Sequence, residues 1–239
     1  MAFFICRDLP LVLWFLLNCR LIQQELNSMK VVAVNGSPRK EGNTYHALMQ
    51  VGNTLKENGI DFEILHVGNK AVRGCIACGQ CAKNRDEKCT ITTDPVNEWI
   101  QVLKEADGII ISSPVYFSGV AGTMKSFLDR AFYVSGANGG LFRQKVGAAV
   151  VAVRRSGGSA TLDSLNHYLT YSEMMIATAN YWNITHGRTP AEVLQDGEAM
   201  QTMEVLGRNM AWQLKMREQT KDSIPAPAPT AKVMTNFIR

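Results

Sequence analysis

Two familiar phosphate-binding loops are missing from this chain. The P-loop spacing G-x-x-x-x-G-K-S/T does not occur, and no G-x-G-x-x-G fingerprint follows the first apolar strand. Nucleotide sites of those two designs are therefore excluded. Histidine is scarce, with four in 239 residues. None of His46, His66, His167 and His186 stands in a recognisable nucleophile–base arrangement, so no triad chemistry is indicated. No internal repeat is visible, which argues against a solenoid. Net charge is only +4, with pI about 8.7, and the basic residues form no stripe; nucleic acid is not an expected partner. The one N-terminal apolar stretch, Leu9–Leu17, is broken by Pro10 and is too short to span a bilayer.

What is present is a chain of one-domain size with ordinary composition, 46% hydrophobic and 19% charged. Apolar strand patterns alternate with amphipathic helix patterns. The spacing predicts strands over 30–35, 61–66, 108–113, 146–153 and 177–184. Helices are predicted over 43–57, 95–105, 121–133, 160–173 and 197–221. This alternation predicts a parallel sheet covered by helices on both faces.

The first strand runs into Asn35, Gly36, Ser37, Pro38, Arg39, Lys40, Glu41, Gly42, Asn43, Thr44, and that loop opens a helix. A helix N-terminus has unpaired N–H groups and the positive end of the dipole, which suits an anion. Ser37, Asn43 and Thr44 add side-chain donors, and Arg39 adds charge-assisted ones. The plainer alternative is a helix start capped by Asn43, with no ligand.

The third strand ends in Ser113, Pro114, Val115, Tyr116, Phe117, Ser118, Gly119, Val120, Ala121, Gly122. Proline fixes the backbone, aromatics give a face, and glycine permits close approach, as a flat ligand requires. The alternative is a pair of ordinary core aromatics beside a turn. After the fourth strand come Arg154, Arg155, Ser156, Gly157, Gly158 and Ser159. On residues alone this is a flexible turn beside two solvated charges at a strand end. All three loops leave carboxyl ends of predicted strands, where open α/β sheets bind ligands.

The pattern G-S-P-R-x-x-x-N-T, followed by S-P-V-Y-F-S-G-V-A-G-x-M-K-x-F-L-D-R, resembles the NAD(P)H-dependent FMN reductase family of flavodoxin-like proteins. The resemblance runs from about Met29 to Met216. It implies a flavodoxin-like three-layer α/β sandwich with a five-stranded parallel sheet in the order 2-1-3-4-5. It implies FMN, with Ser37, Arg39, Asn43 and Thr44 at the phosphate. Pro114, Val115, Tyr116, Phe117 and Gly119 would hold the ring, and Ser156, Gly157 and Gly158 its other edge. NAD(P)H would be the electron donor, the chemistry would lie on the flavin rather than on a catalytic side chain, and the chain would form a homodimer or homotetramer.

Cys75, Cys78, Cys81 and Cys89 form C-x2-C-x2-C-x7-C. Four thiolates suit a [4Fe-4S] centre, and zinc is the other four-thiolate occupant. They could equally be small buried thiols without a metal; a disulfide is disfavoured in a reducing cytoplasm, the compartment expected here. No proline follows the fourth cysteine, so the bacterial ferredoxin run is not matched. The pattern resembles the compact cysteine motif of the iron–sulfur flavoproteins, relatives of the reductases. That resemblance implies a cluster near FMN and a ferredoxin-type redox partner.

Residues 1–28 read as an extension before the domain, with Met29 as a natural alternative start. Residues 29–221 form the domain, and 222–239 a Pro/Ala-rich tail. The stripe Met200, Met203, Leu206, Met210, Ala211, Leu214 reads as core or subunit interface. Three functions follow. One is an FMN-dependent oxidoreductase reducing a small acceptor of quinone, flavin or nitroaromatic type. Another is an iron–sulfur flavoprotein passing electrons to a protein partner. The third is a flavin-binding module without turnover.

Overall fold

Strand β1 (Lys30–Asn35) is buried on both faces from Val31 to Val34, which demands helices above and below it. The computed structural model describes residues 29–235 and 237; the extension 1–28, with its apolar stretch, lies outside them. After β1 come α1 (Asn43–Glu57), β2 (Asp61–His66), α2 (Gln80–Asn84) and α3 (Val96–Glu105). Then follow β3 (Gly108–Tyr116), β4 (Gly119–Val120), α4 (Gly122–Ala137), β5 (Val146–Val153) and α5 (Gly158–Tyr171). The last elements are β6 (Met175–Ile176), β7 (Ile184–His186), a 3-10 turn (Glu192–Gln195) and α6 (Gly197–Thr220).

The sheet order is β2-β1-β3-β5-β6, with β7 also on β5, and every pair but β3–β4 is parallel. This is the expected doubly wound order. Alternation along the strands sends Val32, Val34, Ile109, Ile111, Ala149 and Val151 into one core with α3, α4 and α5. Val31, Ala33, Ile110, Val146, Ala148 and Val150 face the other, with α1 and α6. The methionine stripe of α6 belongs to this second core: Met203, Leu206, Met210, Ala211 and Leu214 are buried in it.

Two features depart from the sequence reading. Among the described residues the sheet has seven strands rather than five, and the strand predicted over 177–184 is not continuous. β6 pairs with β5 at an offset of 29 residues, from Met175 to Val146, and β7 at an offset of 33, from Ile184 to Val151. Four residues therefore loop out between them. Val151 N–H still donates to Asn183 O (2.9 Å), and Asn183 Nδ2 donates to Ala149 O (3.0 Å), so the bulge replaces strand bonds with one side chain. The bulge leaves Tyr181 and Trp182 exposed, with ring centroids 4.8 Å apart. The strand predicted over 108–113 continues to Tyr116 and turns back as a two-residue hairpin, Val115 opposite Val120 and Tyr116 opposite Gly119.

Among the described residues, no helix is long and apolar enough to cross a membrane. The Pro/Ala segment from Ser223 to Thr230 has no regular structure and is exposed. This segment and the residues after it touch the domain: Arg143 Nη1 donates to Pro227 O (2.8 Å), and Lys232 Nζ lies 4.7 Å over the Tyr171 ring.

Candidate functional site

The turn after β1 is built by its own side chains. Ser37 N–H donates to Asn35 Oδ1 (3.0 Å), Arg39 N–H donates to Ser37 Oγ (3.2 Å), and Gly36 N–H ties the turn to Ser112 O of β3 (3.0 Å). The N-cap of α1 is Gly42, not Asn43, and no side chain caps it. The capping explanation for the loop's polar residues therefore falls away. Asn43 is the first helical residue, and its Oδ1 accepts from Val193 N–H (3.3 Å). Gly42, Asn43 and Thr44 at the uncapped start of α1 line a pocket, and a helix N-terminus suits an anion.

The β3–β4 hairpin turns on Phe117 and Ser118, both with positive φ, 49° and 59°. That is the backbone of a type I′ turn, whose twist suits paired strands and whose usual residues are Asn and Gly. Two ordinary side chains held there carry strain. Phe117 is fully exposed at the tip, and Tyr116 is half exposed.

Both loops line one pocket of about 180 Å³, formed by Ser37, Arg39, Gly42, Asn43, Thr44, Pro114, Val115, Tyr116, Ala152, Arg154, Gly187 and Arg188. Seven of the twelve predicted site residues thus meet. Phe117 and Gly119 stand beside it on the hairpin without lining it. Arg188 was missed by sequence reasoning; it sits in an irregular stretch after β7 where no periodicity points to it. Gly187 is packed so closely that an added Cβ would lie 2.6 Å from Asn43 Nδ2. Among the described residues, the guanidinium groups of Arg39, Arg154 and Arg188 form no ion pair. Three arginines line one hole with no carboxylate in its wall, a setting that suits an anion; Glu192, which does not line it, interacts electrostatically with Arg188.

Ser156, Gly157 and Gly158 do not line this pocket. They belong to a larger cavity of about 460 Å³ at the sheet's edge, shared with Arg155, Tyr181, Trp182, His186 and Glu198. Gly157 joins the two regions, because it lies against Ser118 at the hairpin tip.

The four cysteines are brought together. Cys75, Cys78, Cys81 and Cys89 line a small pocket with Ile76, Thr90, Arg130, Tyr133 and Val134. All four are free thiols. Burial, followed by the neighbouring Cys89 and Cys75, pushes the Cys81 thiol above its ordinary value. Asn97 holds Cys89 by both backbone groups, accepting from its N–H (2.7 Å) and donating to its O (2.9 Å). Among the described residues, no group of three or more His, Cys, Asp or Glu side chains is placed to hold a metal ion.

Residues 29–189 match the family model described as NADPH-dependent FMN reductase. The chain belongs to that family. It is close to the iron–sulfur flavoproteins: it is 34% identical over 195 residues to one from Methanocaldococcus jannaschii, covering 79% of this chain and 98% of that protein. Two solved structures share the fold. An archaeal flavodoxin superposes with TM-score 0.52 at 18% identity, covering 78% of this chain and 99% of the other. RosB, solved with 8-demethyl-8-formylriboflavin-5'-phosphate, superposes with TM-score 0.62 at 14% identity, covering 89% and 94%.

Family membership makes this flavodoxin-like chain an FMN-dependent oxidoreductase. In such enzymes the flavin carries the redox chemistry, and the protein binds, orients and shields it.

Proposed function

We propose that this oxidoreductase is an iron–sulfur flavoprotein that exchanges electrons between FMN and a [4Fe-4S] centre at Cys75, Cys78, Cys81 and Cys89. The observation that carries this reading is the gathering of all four thiols around one pocket, on a chain similar to named iron–sulfur flavoproteins. The acceptor is then a protein redox partner of ferredoxin type.

FMN phosphate is assigned to Ser37, Arg39, Asn43, Thr44 and the first turn of α1, with Arg154 and Arg188 completing the charge. The ring is assigned to Pro114, Val115, Tyr116, Phe117 and Gly119, with Ser156, Gly157 and Gly158 beyond the hairpin. When bound, FMN supplies reversible electron and hydride transfer, and the four-thiolate centre supplies one-electron transfer. The chain's own part is to hold both near each other. Helix α4 follows directly on the hairpin and carries Arg130, Tyr133 and Val134 into the cysteine pocket. From Gly122 to Arg130 is about 12 Å of helix at the usual rise per residue.

A second reading is reduction of a small acceptor, such as a quinone, free flavin or nitroaromatic, by NAD(P)H. The edge cavity of about 460 Å³ beside Gly157, with its exposed Tyr181 and Trp182, favours it as a place for a flat molecule. A flavin-binding module without turnover is the remaining alternative.

The test is the visible spectrum of protein purified without oxygen, before and after NADPH or NADH, with iron analysis. Flavin bands over broad brown absorption, with iron near four per chain as a four-thiolate cluster requires, are expected. Iron-free flavin bands bleached by a nicotinamide donor would favour the second reading. Tight FMN that neither donor reduces, without iron, would leave the module.

A further inference from the structure

Among the described residues, the fully buried side chains include a large charged one, Arg130, with no exposed side-chain surface. Its guanidinium makes four hydrogen bonds from its five N–H donors. Nη1 donates to Asp94 Oδ2 (2.5 Å) and Arg73 O (3.2 Å), Nη2 to Ile91 O (2.9 Å), and Nε to Cys89 Sγ (3.4 Å). Asp94 in turn accepts from Arg73 N–H (3.4 Å) and Val96 N–H (3.4 Å). Arg73 and Asp94 bracket the segment that carries the four cysteines, so one side chain closes both ends of that segment and touches a thiol within it. A buried ion pair stabilises a fold little more than apolar residues of the same size would. Stability alone does not account for it.

The geometry points to Arg130 as a positioning residue that shapes the cysteine loop and sets the reduction potential of the centre bound there. The potential part rests on the cluster reading above; the loop part does not. Reduction adds negative charge to the thiolate-bound centre. A cation that donates a hydrogen bond to one of the thiolate sulfurs favours the reduced form and raises the potential. Guanidinium keeps its charge at every accessible pH, and its planar fork serves the carboxylate, two carbonyls and the sulfur at once; an ammonium point charge cannot.

Two variants test this. Arg130→Lys keeps the charge and loses the fork. The double change R130M/D94M removes the pair without leaving a buried orphan charge. The readouts are the cluster midpoint by EPR-monitored titration and amide exchange over residues 73–94 in iron-free protein. Expected for the double variant is a midpoint lowered by a tenfold shift of the one-electron equilibrium, about 59 mV, with faster exchange across the loop. Arg130→Lys should lower the midpoint less and still loosen the loop. An unchanged midpoint in the iron-loaded double variant overturns the potential claim. Unchanged exchange overturns the clamp. A wild-type chain that holds no iron overturns the cluster reading and the potential claim with it, while the exchange result still decides the clamp.

Discussion

Gly157 lies directly against Ser118: a Cβ on Gly157 would stand 2.7 Å from Ser118 Cα. The loop after β5 and the tip of the β3–β4 hairpin are therefore in backbone contact, and nothing larger than glycine fits between them. Gly157 also holds φ +87°, where an L side chain costs roughly 1–2 kcal/mol. Gly157→Ala should push the hairpin away and carry Val115 and Tyr116 with it. We expect FMN affinity to fall about tenfold or more, equivalent to about 1.4 kcal/mol, with a lower melting temperature. Fluorescence titration of flavin-free protein measures the first and a thermal melt the second. A lower melting temperature with undiminished affinity would make the contact structural only.

Arg188 separates the phosphate assignment from general flavin affinity. It lines the pocket of Ser37, Arg39 and Thr44. A charge-assisted bond to phosphate is worth about 1.5–3 kcal/mol, so Arg188→Ala should weaken FMN roughly tenfold or more. Riboflavin, which lacks the phosphate, should bind the variant as it binds the parent. Arg39→Ala with Asn43→Ala should show the same selectivity more strongly. Equal losses for both flavins would place the phosphate elsewhere.

The sequence carried the doubly wound sheet because its strands are buried on both faces and read as unbroken apolar runs, as in Val31–Val34 and Val146–Val153. It carried the first two loops because they sit where such strands end. It did not carry the broken fifth strand. Ala177 to Asn183 has strand-like residues, and only the tertiary offset between β6 and β7 reveals the four looped-out residues. Arg188 and the packing of Gly187 on Asn43 escaped for a related reason: the two segments are far apart in sequence and meet only once α1 and β7 share a sheet end. Arg130 was visible in the sequence as the last letter of a motif, but its burial against Cys89 was not.

Tyr168 offers a pH test away from the flavin. Burial, followed by its hydrogen bond to Asp129, pushes its phenol up to about 12. A folded pKa above the unfolded value of about 10 means the folded state binds more protons between those values. Stability is therefore fully present below about pH 10 and is lost as pH rises toward 12. Tyr168→Phe should be less stable at neutral pH, having lost a hydrogen bond, yet should lose less stability than the parent across that alkaline window. Denaturant melts at several alkaline pH values measure the difference. Parallel curves for the two proteins would mean that Tyr168 does not titrate with unfolding.

Single serine substitutions in the cysteine pocket test whether iron and flavin are held separately. Cys81 is buried and Cys89 is clamped by Asn97, so each change is nearly isosteric and leaves the neighbouring backbone bonds in place. Neither residue lines the pocket of Ser37, Arg39 and Tyr116. Cys81→Ser and Cys89→Ser should each abolish or sharply reduce the iron content, because serine is a poor ligand where four thiolates are needed. FMN content should remain at the parent's level. Loss of the brown absorption with flavin bands intact, followed by iron analysis, is the expected outcome. Simultaneous loss of both groups would mean that the cysteine loop also supports the flavin loops, and undiminished iron in both variants would remove these thiols from the cluster assignment.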